Sequence, residues 1–152
     1  MVGPRRRSRE VAVQVIYLMD ASPELEAEAA LNLYFTHLAA DINEGEPGSE
    51  PERVGIDRAM VDDLVKGFAS HRQELDELLA TLSQNWRVER MAPVERNVIR
   101  LALYELKYCE GVPVSVALNE AVELAKRFGS SEGAAFVNGM LDRAVNDLGI
   151  RR

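Results

Sequence analysis

The side chains best suited to chemistry stand near the start, where Arg5, Arg6, Arg7 and Arg9 place four guanidinium groups within five positions and no acid occurs in residues 1–9. A guanidinium is planar, permanently charged and carries its donors in a fixed fork, so it fits phosphate oxygens and stacks on bases. Four such groups engaged on a single strand would give RNA binding a logarithmic salt slope of about −3. The same run also reads as a solubilising basic tail, because short basic stretches are ambiguous. A regular helix from about Ser8 onward would anchor the arginines and favour contact.

A second place of interest is AVELAKRFGSSEGAAFVNG, residues 121–139, which offers a helix end, two serines and a fresh helix start. The N–H groups of such a start are available to a phosphate. Capping by Ser130 or Ser131 is the simpler reading, since every helix start has such groups. Phe136 reads either as core or as an aromatic platform for a splayed base. Asn119 and Asn138 read as buried hydrogen-bonding residues. Asn138-Gly139 in mid-helix marks a point where another backbone should pack closely.

Catalytic chemistry finds little to use. His37 and His71 lie far apart, and neither has a second His or Cys at metal-ligand spacing. Cys109 falls on a helix expected to be buried, where a thiol behaves as a small apolar group. FGSSEG lacks the strand and the spacing of a phosphate-cradling loop, and Asp62-Asp63 reads as a solvated face. The expectation is a protein that is not an enzyme and needs neither metal nor cofactor.

Net charge is −7, which taken alone argues against nucleic acid as a partner. With four arginines and no acid in residues 1–9, the remaining 143 residues must carry −11. Eleven acids between Ala21 and Asp63 face only Arg53 and Arg58. So polarised a chain suits two unlike partners. Its lone cysteine cannot form an internal bridge, and no signal-like apolar stretch follows the basic start, which points to the reducing cytoplasm. The apolar stretches around residues 94–106 and 112–118 are too short and too interrupted to span a membrane.

These residues must be positioned by helices, since apolar side chains recur at helical spacing and no stretch alternates in the manner of a strand. The first helix should run from about Ser8 to Asp20, with Ala12, Val15, Ile16 and Met19 as its apolar stripe. Ser22 should cap a second helix opened by Pro23 and built from residues 25–40. Residues 41–55, rich in glycine, proline and acids, form a loop. Asp57 should cap a long third helix, with Ile56 and Val61 as a hydrophobic staple, running through Leu64, Phe68, Leu75, Leu78, Leu79 and Leu82 to Asn85 or Trp86. Pro93 opens a helix that is apolar nearly all round and closes at Gly111. Two more follow, from about Ser115 to Phe128 and through Val137, Leu141, Ala144, Val145 and Leu148. Length and a 47% hydrophobic composition suit a single domain, 1–152.

Several of these segments resemble one family together and in order. RRRSREVAVQVIY, NWRVERMAPVERNVIRLALYELKY, VPVSVALNEAVELAKRFG and FVNGMLDRAVNDL are similar to the arginine-rich entry, central helix and last two helices of the NusB family. The likeness is dense over residues 84–148, moderate over 1–20 and sparse between. It implies an all-α fold of about seven helices in two packed helical subdomains. It implies an antitermination factor that binds boxA-type single-stranded RNA with NusE, a small-subunit ribosomal protein, within the RNA polymerase antitermination complex, and so promotes processive transcription of ribosomal RNA operons. RNA contact would fall to Arg5, Arg6, Arg7, Arg9 and Phe136, and NusE contact to Tyr17, Glu89 and Glu95. Glu95 also reads simply as a favourable acid in a first helical turn. The competing reading is a helical protein-binding scaffold that never touches RNA.

Overall fold

The structure, a computed structural model, describes residues 3–38, 55–84 and 88–150. Most of the acidic run 41–55 falls outside the described residues, as do Trp86 and the side chain of Glu89. Among the described residues there are seven α-helices and no strand, and no helix is long and apolar enough to cross a membrane. They fall into two compact units, Met1–Ala69 and Ser70–Arg152.

In the first unit, α1 (Pro4–Ala21) opens on a proline, whose missing N–H would have lacked a partner there anyway and whose fixed φ suits a first turn. The helix therefore begins before Ser8 and takes in all four arginines. It ends at Ser22 (φ −131°, ψ 87°), which the following Pro23 keeps out of the helical region. Ser22 thus closes one helix and does not cap the next. α2 (Ala27–Leu33) starts beyond Pro23 and passes into a single π-helical turn, Tyr34–Leu38. α3 (Arg58–Ser70) starts as expected, with Asp57 Oδ1 accepting from the Met60 N–H at 3.1 Å. The stripe of Ala12, Val15, Ile16 and Met19 is buried, as are Leu31 and Tyr34 after it and Val61, Leu64, Val65 and Phe68 on α3.

A second difference from expectation is the break at His71 (φ −118°, ψ 13°), which separates α3 from α4 (Arg72–Ser83). One non-helical residue leaves Leu64, Phe68, Leu75, Leu79 and Leu82 nearly on period, so the spacing alone cannot disclose it. After a 3-10 turn, Val88–Arg90, the second unit continues with α5 (Pro93–Tyr108), α6 (Val114–Phe128) and α7 (Ser131–Leu148). α5 lies against each of α4, α6 and α7. Burial on nearly every side forces its polar residues to find partners inside. Arg100, with its side chain only 5% exposed, donates to Asp76 Oδ1 at 2.7 Å and Oδ2 at 2.9 Å, and to Asn97 Oδ1 at 2.9 Å.

Smaller corrections follow from these contacts. α5 ends at Cys109, ahead of Gly111, and leaves that thiol half-buried and outside the helix. Asn119 and Asn138 are exposed. A Cβ built on Gly139 would meet nothing within 4 Å, so no backbone packs against it.

Candidate nucleic-acid interface

Burial rises steeply along the start of α1. Arg5 is exposed, Arg6 and Arg7 are half-buried, and Arg9 is only 2% exposed. From Ser8 to Val13 every residue is buried, so no face of the helix is left to water there. Arg7 Nη1 donates to the buried Glu10 carboxylate at 3.3 Å. Burial pushes the phenol of Tyr34 up, and the charge of the Arg7 guanidinium opposes it. The four guanidinium groups, alike in the sequence, thus grade from exposed Arg5 through half-buried Arg6 and Arg7, the latter paired with Glu10, to buried Arg9. Arg9 in particular stands where an RNA strand could not reach it without movement of the helix.

The end of α1 that carries Arg5 is fixed by Ser8, which is fully buried. Its hydroxyl donates to the Pro4 carbonyl at 2.7 Å and accepts from the Asp57 N–H at 2.9 Å. One oxygen therefore joins the first turn of α1 to the start of α3, across 49 positions of sequence. Beside Asp57, the Arg58 guanidinium lies over the Phe35 ring with Cζ 3.7 Å from its centroid, and Nε donates to Asp62 Oδ1 at 3.2 Å. Sequence reasoning gave neither Ser8 nor Arg58 a role at a site. The Gly3-Pro4 pair was the available signal that the helix starts early enough to make Ser8 an interior residue.

The remaining expected residues sit elsewhere. Tyr17 is 44% exposed on α1. Phe136 is 37% exposed on α7 of the second unit, so it is not a core residue. At the start of α7, Ser130 Oγ accepts from the Gly133 N–H at 3.0 Å, which is ordinary capping. Half-buried Glu95 lies directly against this turn: a Cβ on Gly133 would collide with its Oε1 and stand 2.9 Å from its Cδ, and one on Gly129 would stand 3.4 Å from Oε1. A carboxylate there is favoured by the helix end and repels a phosphate, so this turn is the weaker candidate for an anion.

On α4 and α5, His71 stacks on Tyr108 at 4.0 Å between centroids, and Tyr108 Oη and Lys107 Nζ both donate to the Glu74 carboxylate. Lys107 first, then Tyr108, hold Glu74 below the ordinary carboxylate range, while the carboxylate pushes the Tyr108 phenol up. Among the described residues no group of three or more His, Cys, Asp or Glu could hold a metal ion.

Fold and site together define a small all-α protein that presents a basic, solvent-facing helix end. The sequence profile of the NusB family matches residues 6–146, and the chain belongs to that family. It is 42% identical over 144 residues to the transcription antitermination protein NusB of Myxococcus xanthus, covering 95% of this chain and 96% of that one. The structure of NusB from T. maritima superposes with a TM-score of 0.72 at 27% identity, over 97% of this chain and 94% of that one. A structure of antitermination factors NusB and NusE in complex with double-stranded RNA shares the fold, with a TM-score of 0.71 at 21% identity over 97% and 99% of the two chains.

Proposed function

We propose that this chain is a non-enzymatic, cytoplasmic antitermination factor that binds boxA-type single-stranded RNA together with NusE. In that role it joins the RNA polymerase antitermination complex and promotes processive transcription of ribosomal RNA operons, with residues 1–152 acting as one functional domain. The observation that carries the reading is the exposed arginine end of α1 in a chain whose relative in Myxococcus xanthus is named for transcription antitermination. Arg5 and Arg6 supply the principal phosphate contacts, because Arg5 is exposed and Arg6 half-buried at the open end of α1, ahead of Arg7, which pairs with Glu10, and Arg9, which is buried. Arg7 and Arg9 hold the helix start in place. Phe136 offers an exposed ring for a base, and Tyr17, Glu89 and Glu95 are the residues we assign to NusE contact. A ribosomal protein is basic, so acids are the fitting counterpart.

The test is a titration of a boxA-like strand against a shuffled strand of the same composition, with and without NusE. Binding that prefers the boxA-like strand and tightens with NusE is the expected result. A folded protein that binds NusE but no RNA would instead be a protein-binding scaffold. Charge reversal of Glu89 and Glu95 to lysine should weaken the NusE complex and leave RNA binding by the isolated chain intact.

A further inference from the structure

We infer that Arg58 and Phe35 form a second element of the RNA surface, a stacked platform that receives one base of the strand whose phosphates Arg5 and Arg6 hold. The inference rests on the RNA-binding role proposed above and extends it to residues on two other elements of the first unit.

The placement comes from Ser8. Its single hydroxyl bonds both the Pro4 carbonyl and the Asp57 N–H, so these two backbone groups are held within two hydrogen-bond lengths of each other. Arg5 leaves the chain directly after Pro4, and Arg58 directly after Asp57. The two side chains therefore start from adjoining points although more than fifty positions separate them in sequence. Phe35 comes to the same place in the π-helical turn after α2.

The chemistry comes from the stack. The Arg58 guanidinium lies over the half-buried Phe35 ring at 3.7 Å, and its side chain remains 49% exposed. A planar guanidinium has two faces, and with one on the ring the other can take a further planar partner. Single-stranded RNA is recognised by unstacked bases laid on aromatic rings and arginine planes, so a base completes a three-layer stack. The ion pair to Asp62 uses Nε and fixes the plane without covering it. A surface cation kept only for solubility has no need of such an orientation. Lys66, also on α3, has an exposed ammonium 3.3 Å from the Glu28 carboxylate.

Stacking depends on the plane of Arg58 and on the ring of Phe35, whereas simple attraction depends only on charge. Arg58→Lys separates the two. In the full chain, titrated with a boxA-like single strand, Arg58→Lys should weaken binding about tenfold and leave the salt slope unchanged, because no phosphate contact is lost. Phe35→Leu, which keeps apolar bulk and removes the ring, should weaken binding to a similar degree. Helical circular dichroism and the thermal midpoint of both variants should match the parent. Arg5→Gln combined with Arg6→Gln serves as the reference. Should that pair abolish binding while Arg58→Lys binds as the parent does, the platform is refuted and the α1 contact stands. Should neither variant alter binding, the RNA-binding reading of this end of the chain falls along with the platform.

Discussion

The division of the four arginines has a measurable consequence in the salt dependence of RNA binding. Each phosphate neutralised on a single strand contributes about −0.7 to the slope of log affinity against log salt. Read from the sequence, four arginines give about −2.8; with Arg7 kept on Glu10 and Arg9 kept buried, the remaining two give about −1.4. Between about 50 and 200 mM salt the first loses about fiftyfold in affinity and the second about sevenfold. Fluorescence anisotropy with a labelled boxA-like strand resolves that difference easily. Arg5→Gln with Arg6→Gln should flatten the slope almost to zero in a protein that still folds. Arg9→Gln should do the reverse. Removing a buried guanidinium costs about 2 kcal/mol, or about 6 °C in midpoint for a chain of this length, while the slope of the folded variant stays near that of the parent. A parental slope near −2.8 would show that Arg7 and Arg9 leave their internal positions to meet phosphate, and the reasoning from burial would then be wrong.

Three further outcomes follow from the second unit. Asp76→Ala leaves Arg100 inside without its carboxylate, so the midpoint should fall by about 6–10 °C, reflecting about 2–3 kcal/mol for a partner that is itself partly exposed; thermal melts check this, and a change under about 2 °C would refute it. Gly133→Ala pushes against the flexible end of Glu95, so the fold should lose under about 1 kcal/mol while NusE affinity changes through the displaced carboxylate; calorimetry with NusE beside a thermal melt separates the two. Glu74 is held below the ordinary carboxylate range, so its contribution to stability is present above the ordinary value and fades as pH falls through its own lowered value. Tyr108→Phe removes one of its two donors and should move the Glu74 carboxyl resonance, followed by NMR, toward the ordinary range, whereas an unmoved titration would assign the whole effect to Lys107.

Local physics wrote most of the helices into the sequence. Pro4 and Pro93 at first positions, Asp57 and Ser130 as caps and the 3.6-residue recurrence of apolar side chains all act within one or two turns, so reading a short window suffices. Where two local signals compete, the window misleads: Ser22-Pro23 satisfies the pattern of a helix start, yet the same proline ends α1 by excluding Ser22 from the helical region. Residues 5–9 mark the boundary of what such reading can do. Their types announce a basic site, but which guanidinium meets solvent depends on where α1 becomes buried on all sides, and that begins at Ser8. The resemblance of RRRSREVAVQVIY and FVNGMLDRAVNDL to one family carried the function, because binding chemistry at an exposed end leaves no period or cap to read. Tertiary structure alone decided that Ser8 joins Pro4 to Asp57, that Arg58 lies on Phe35, and that Glu95 rests against Gly133. Such contacts join residues tens of positions apart, where no repeat or spacing in the sequence records which of many exposed-looking side chains the folded chain will bring together.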